Sequence, residues 1–188
     1  MSPASNNTPH IALVTGARGG IGRAVVAQLR ESGHRVAAVG RDAATLADVP
    51  ADAYIAADTT TPEGAAAAIT GCREQLGGAP ALLAHCVGST LIAPLHRSTP
   101  AQMREVLRVN LDSALFMLQA WVEGLRETRT PGAAVLASSV VARIGVANHE
   151  AIAAAKGGIE ALARSMASVI GVSVMPGATA LMRRPSGA

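Results

Sequence analysis

The feature that most constrains this chain is a short succession near its start. His10 to Thr15 form an apolar run that reads as a buried strand, Gly16-Ala17-Arg18-Gly19-Gly20-Ile21-Gly22 follow, and Arg23 to Arg30 read as a helix. Strand, glycine turn and helix together are the context that a dinucleotide-binding loop needs. Gly16 permits a tight turn, Gly20 lets the backbone approach a pyrophosphate, and Gly22 lets the helix pack closely on the strand. The helix N-terminus would then offer unpaired N–H groups to phosphate oxygens. An ordinary glycine-rich turn would use the same residues, so the rest of the chain has to decide.

Apolar strand candidates alternate with helical ones to the end. Strands are expected over His34–Val39, Tyr54–Ala57, Ala81–Cys86, Ala133–Ser138 and Gly171–Met175. Helices are expected over Ala43–Val49, Pro62–Leu76, Pro100 to about Thr128 with a break, and Glu150–Met166. Pro62 suits a first helical turn, and Thr99 can cap the helix that begins with Pro100. There is no internal repeat and no long linker. This alternation predicts an α/β, Rossmann-type doubly wound parallel sheet of about six strands. Met1 to Pro9, polar and holding two prolines, reads as a disordered lead-in to a single domain over 10–188.

A chain of 188 residues is long enough for one well-buried core. With one Trp, one Tyr and one Phe, that core has to be aliphatic. The net charge of +3 is spread along the chain, with no Lys/Arg tract interleaved with aromatics, which argues against nucleic acid as a partner. The N-terminus has no secretory apolar segment, and no run reaches transmembrane length, so no membrane association is expected. Cys72 and Cys86 suggest neither a disulfide framework nor a metal site, and a reducing cytoplasm fits them best.

Taken together, these residues resemble the short-chain dehydrogenase/reductase family over nearly the whole chain. Thr15 to Gly22 match the family's TGxxxGIG loop. Asp58, followed by Thr59, matches the acidic residue that contacts adenine, and Asn110 matches the Asn of the long central helix. Ser139, in Ser138-Ser139, stands where the family carries its catalytic serine. Lys156 matches the lysine of YxxxK, and Pro176-Gly177 match the Pro-Gly after the sixth strand. The resemblance implies hydride transfer between a nicotinamide and a small-molecule carbonyl or secondary alcohol, with Ser139, Lys156 and Asn110 at the catalytic site. It implies cofactor contacts from Gly16, Arg18, Gly20, Ile21, Gly22, Arg41, Asp58, Thr59, Cys86, Val87, Gly88, Lys156, Pro176 and Gly177. It also implies a homodimer formed through the two long helices, with the alanines Ala161, Ala163 and Ala167 allowing close packing.

The coenzyme can be argued from charge. A 2′-hydroxyl is held by an acid at the end of the second strand, whereas a 2′-phosphate needs a cation there. Gly40 occupies that end, Arg41 follows, and Arg18 lies in the glycine loop. Two guanidiniums favour NADP(H), because Arg engages phosphate bidentately. NAD(H) stays open if Asp42 takes the ribose instead.

The chain departs from the family at a decisive point. The family's acid/base tyrosine stands four residues before the lysine, and here that residue is Ile152, expected to project towards the nicotinamide. Losing a positioned acid/base costs about two to four orders of magnitude in rate. His149 and His85 are the candidates to replace it, against a surface role for the first and a hydrogen-bonded role for the second; Cys86 is better read as buried filler than as a nucleophile. Only Gly88 survives of the family's Asn-Asn-Ala-Gly, which here reads His85-Cys86-Val87-Gly88. The usual last helix and strand of the family are expected to be lacking. The expected function is an oxidoreductase of this family. The alternatives are a non-redox NADP(H)-binding regulatory or structural protein, or a cyclase or isomerase on the same fold.

Overall fold

The computed structural model describes residues 9–170 and 179–183. The expected lead-in therefore lies outside the described residues, apart from Pro9. So do the expected strand over Gly171–Met175 and the Pro176-Gly177 pair.

One six-stranded sheet is built from β1 (Ile11–Thr15), β2 (Arg35–Gly40), β3 (Ala53–Ala56), β4 (Leu82–His85), β5 (Ala133–Ala137) and β6 (Thr179–Arg183). Its order is β3-β2-β1-β4-β5-β6. The first five strands are parallel, as the alternation of elements predicts. β6, which follows the segment expected to be the sixth strand, runs antiparallel, with Thr179 opposite Ala137 and Arg183 opposite Ala133. It starts beside the carboxyl end of β5, so the sheet is entered there from the opposite edge. An antiparallel edge strand on a parallel sheet is a common variation.

The helices are α1 (Gly20–Glu31), α2 (Pro62–Leu76), α3 (Pro100–Leu107), α4 (Ser113–Thr128) and α5 (Glu150–Ile170). The expected helix at Ala43–Val49 is only a 3-10 turn, Ala43–Leu46, capped by the Asp42 carboxylate on Ala44 N–H. Thr99 caps α3 reciprocally with Gln102. The expected break in the long central helix is a π-turn, Arg108–Asp112, between α3 and α4. Such turns recur at functional sites because they free a carbonyl and re-aim side chains.

Strand alternation divides the core into two layers. Leu13, Val39, Leu83 and Leu136 pack with Ile69, Met117, Trp121 and Ile159 from α2, α4 and α5. Ala12, Val14, Val36 and Ala38 pack on the other side with Val26 of α1 and with Leu46. Ala163 is fully buried in the first layer, so it belongs to the core rather than to a helix face open to a partner. Among the described residues, no helix is long and apolar enough to cross a membrane.

Candidate functional site at the switch of the sheet

The connections run outward from β1 to β2 and β3 on one side and to β4 and β5 on the other. The carboxyl ends of β1 and β4 therefore diverge into a crevice, the place where ligands bind in open α/β sheets. Thr15 and His85 are register partners at that edge, and Cys86 N–H donates to Thr15 O at 3.1 Å just beyond them.

The glycine loop fills this edge closely. Gly16 has φ +66°, and a Cβ there would lie 2.8 Å from the Cys86 carbonyl, so only glycine fits. A Cβ on Gly22 would overlap Gly16 O and come within 2.8 Å of Ala17 Cα. Gly20, at the first position of α1, is different: a Cβ there meets no protein atom within 4 Å. Two glycines thus let the loop and helix pack together, and the third faces open space at the helix N-terminus.

From this loop a cleft of about 930 Å³ extends along the strand ends. That is at the upper end of the usual range for ligand sites, about 300–1,000 Å³. Its walls include Gly16 and Arg18, Arg41 and Asp42, Asp58 and Thr59, Cys86, Val87 and Gly88, and Leu91. All of these but Asp42 and Leu91 are sequence-predicted cofactor residues, brought to one cleft. Of the others, Gly20 and Ile21 stand in the exposed first turn of α1, Gly22 is buried against the loop, and Lys156 lies behind Gly88. Pro176 and Gly177 lie outside the described residues.

A polar chain that the sequence did not reveal lines the end of the cleft beyond β3. Arg108 is held bidentately by Glu105, both bonds 2.8 Å, and donates to the Thr60 hydroxyl. Thr60 in turn donates to Asp58 Oδ1 from its hydroxyl at 2.6 Å and from its N–H at 3.0 Å. The Thr60 hydroxyl is the main reason the Asp58 carboxyl titrates below its ordinary range; partial burial opposes this, and the Thr60 N–H and the Arg108 and Arg41 charges reinforce it. Asp58 therefore stays ionised and accepting near neutral pH. The signal for Arg108 was its place two residues before Asn110, inside the helical break.

At the other end, Gly88 stands in front of the expected catalytic group. A Cβ on Gly88 would lie 3.0 Å from Asn110 Oδ1 and 3.5 Å from Lys156 Nζ. Asn110 is fully buried in the π-turn. Its Nδ2 donates to Val106 O at 2.9 Å and to Ser89 O at 3.1 Å, and its Oδ1 accepts from Ser89 N–H. It clamps the loop after β4 to the central helix. Lys156 Nζ, buried, donates to Ala137 O at 2.9 Å at the end of β5. Burial lowers its pKa, with Cys86 acting weakly in the opposite direction. Ser139 caps the turn after β5, its Oγ accepting from Val141 N–H at 3.4 Å. Its neighbour Ser138 donates to Glu160 Oε1 at 3.0 Å, and the same carboxylate pairs with Arg143.

Ile152, expected to project towards the nicotinamide, is held in an apolar cluster. It is 5% exposed and packs with Val106 and Ala155, flanked by Leu91 and Val141. An apolar side chain at that helical position finds more stabilisation between α3 and α5 than in the cleft. The two histidines expected as substitutes for the phenol have partners of their own. His85 is buried, its Nδ1 2.8 Å from Thr15 Oγ1 and its Nε2 3.0 Å from Ser113 Oγ. Ser113 donates to Val109 O, so its oxygen accepts from His85 Nε2–H, and Thr15 donates to Nδ1. Burial, reinforced by the Lys156 charge, pushes the His85 pKa down to about 3, so the ring is a neutral bridge. His149 is engaged locally, Nδ1 with Ala147 O at 2.8 Å. Burial raises the Cys86 thiol to about 11, which keeps it protonated and unreactive near neutral pH.

Known proteins resemble this chain in sequence and in fold. The family model for short chain dehydrogenases matches residues 10–180. The chain is 30% identical to a (3R)-3-hydroxyacyl-CoA dehydrogenase of Canis lupus familiaris, over 89% of this chain and 73% of that protein. It is 30% identical to an L-xylulose reductase of Bos taurus, over 85% of this chain and 65% of that protein. An acetoacetyl-CoA reductase of Synechocystis is 31% identical, over 84% and 64%. Among solved structures, a chain described as a short-chain alcohol dehydrogenase of Sinorhizobium meliloti superposes with a TM-score of 0.82 at 26% identity, covering 86% of this chain and 67% of that one. The chain thus spans about two thirds of the length of most of these relatives. On the match of the family model and on these relatives, the protein belongs to the short-chain dehydrogenase/reductase family.

Proposed function

We propose that this protein binds NADP(H) in the cleft at the sheet switch and acts there as an oxidoreductase on a small carbonyl or secondary alcohol. The observation that carries the proposal is the continuity of the cleft, from Arg18 and Arg41, past the open first turn of α1, to Gly88 in front of Asn110 and Lys156. The residues fit the cofactor. Gly20 and the N-terminus of α1 leave room and N–H groups for a pyrophosphate. Asp58 offers an ionised acceptor for an adenine amino group. The acid nearest the end of β2, Asp42, also lines the cleft but spends one carboxylate oxygen on capping Ala44 N–H, while Arg41 and Arg18 in the same lining are available for a 2′-phosphate. NADPH should therefore bind at least about tenfold more tightly than NADH, one bidentate guanidinium–phosphate pair being worth about 1.4 kcal/mol or more. Calorimetric titration with each coenzyme tests this, and equal affinities would reject it.

Bound nicotinamide supplies or accepts the hydride at the substrate carbon. In this reading Lys156, whose Nζ donates to Ala137 O, orients a ribose. Asn110 fixes the loop that carries Gly88, and Ser139 donates to a carbonyl oxygen. The proton that completes reduction has no phenol to come from, so turnover is expected to be about 100-fold or more below that of a site with a positioned acid.

The burial of Ile152 favours a second proposal, a non-redox NADP(H)-binding protein, because that position is given over to packing. Detectable NADPH-dependent reduction of a small diketone would decide for the first. A homodimer belongs to both proposals. The groove between α4 and α5, with Leu115, Phe116, Val122, Leu162 and Met166 in its walls, supports it. The reducing cytoplasm expected from the sequence agrees with the two free thiols, Cys72 and Cys86.

A further inference from the structure

Most of the large apolar side chains exposed among the described residues follow the carboxyl ends of β1, β4 and β5. They are Ile21 at 67% exposure, Ile92 at 66%, Val140 at 64% and Ile144 at 59%, together with Leu95 and Val146. The two loops that carry most of them, residues 89–98 and 139–149, are joined: Ala93 N–H donates to Asn148 O at 3.0 Å. Beneath them, Leu91 and Val141 pack on the cluster that holds Ile152. Leu91 also lines the cofactor cleft, so the apolar rim and the cleft share a wall residue. Neither loop contains an Asp or Glu, and Arg143 is paired with Glu160 at 3.0 Å. Apolar patches of this kind mark binding sites, and in this architecture small ligands sit at the strand ends.

We propose that this rim is the substrate-binding wall and that the substrate is an uncharged aliphatic ketone, or its alcohol, with a chain of several methylenes. This rests on the NADP(H) oxidoreductase assignment and adds the substrate class to it. A polyhydroxylated substrate would leave its hydroxyls unpaired against Ile92, Val140 and Ile144, at the cost of desolvating each one. Within these two loops an acidic substrate would meet just two arginines, Arg97 and the already paired Arg143.

The test is direct binding, which does not depend on turnover. The NADPH-saturated protein is titrated with 2-butanone, 2-hexanone and 2-octanone. Burying one methylene is worth about fourfold in affinity, so each two-carbon step should tighten binding about tenfold on a rim that leaves part of the chain wet. Ile144→Asp and Ile92→Asp, both at exposed positions, should weaken 2-octanone about tenfold and leave the NADPH affinity and the melting temperature unchanged. A flat series with NADPH bound would overturn the inference and leave the cofactor assignment standing. Tighter binding of acetoacetyl-CoA than of 2-octanone would overturn it in favour of an anionic substrate. If NADPH itself does not bind, the oxidoreductase assignment falls, and this inference falls with it.

Discussion

Gly20 and Gly22 are two residues apart on one helical turn, yet the space around them predicts opposite consequences for substitution. A Cβ at Gly22 would overlap Gly16 O, with Ala17 Cα at 2.8 Å, and both neighbours are backbone. Neither can rotate away, so Gly22→Ala has to push α1 off the loop. Overpacking of this kind costs about 1–3 kcal/mol. For a chain of this size, that lowers Tm by about 2–12 °C, at about 2–4 °C per kcal/mol. At Gly20 nothing lies within 4 Å of the added atom. Gly20→Val should therefore leave Tm within about 2 °C of wild type, the small loss from a β-branched residue in the first helical turn being offset by a stiffer unfolded chain. If that open space is where a pyrophosphate sits, the same valine should weaken NADPH by at least about a hundredfold, since its methyl groups would hold the phosphate away from the helix N–H groups. Thermal melting followed by calorimetry of both variants reads out the two effects separately. A Gly20→Val protein that melts normally and binds NADPH undiminished would refute the placement of the phosphates. A Gly22→Ala protein as stable as wild type would refute the packing argument.

Arg41→Ala should weaken NADPH by about 1–3 kcal/mol and leave NADH nearly unchanged, measured by titration of each coenzyme. Ile152→Tyr should raise NADPH-dependent reduction of a small diketone at least about tenfold if the phenol reaches Lys156, whose charge would favour phenolate. The same change should lower Tm, because a larger side chain enters the Val106–Ala155 cluster. His85 takes up a proton near pH 6.5 when unfolded but only near about 3 when folded, so stability is full above the unfolded pKa and falls as pH drops through that window. Between about pH 8 and about pH 5 this group alone removes about 2 kcal/mol, and His85→Gln should flatten that part of a pH–stability curve measured by urea unfolding.

The parts of the fold that were legible in the sequence are those set by local chemistry. The strand–glycine–helix succession, Pro62 and Thr99 as helix starts, and the fully apolar strands each specify their own surroundings. Parallel pairing of β1 to β5 followed from them, because crossover segments of a dozen or more residues separate the strands, helical in all but the β2–β3 connection. The direction of β6 was not legible, since an edge strand with one neighbour can be entered from either end with the same residues. The Ala43–Leu46 turn reads as a helix in sequence but is cut short, because the Asp42 cap and Leu46 have to close it onto β2.

The site shows the same division between local and long-range information. Gly16, Arg41, Asp58 and Gly88 follow strand ends directly, so the sheet alone carries them to one cleft. What sequence could not supply was how side chains far apart in the chain use one another. His85 invites a catalytic role at the end of β4 until Thr15, 70 residues away, and Ser113 are seen to take both its nitrogens. Arg108 reads as an ordinary helical surface charge until the π-turn carries it to Thr60 and, through that hydroxyl, to Asp58. Ile152 is the sharpest case. Its spacing from Lys156 places it at the family's acid/base position, but its own chemistry sends it into the gap between Val106 and Leu91. Spacing fixes where on the helix a side chain begins, whereas its polarity decides which neighbours it joins. A phenol can pack against the same apolar wall and still extend its hydroxyl towards Lys156, whereas an isoleucine ends within the wall. On the proposed reading, one residue therefore separates a preserved cofactor cleft from a proton-transfer step without its phenol.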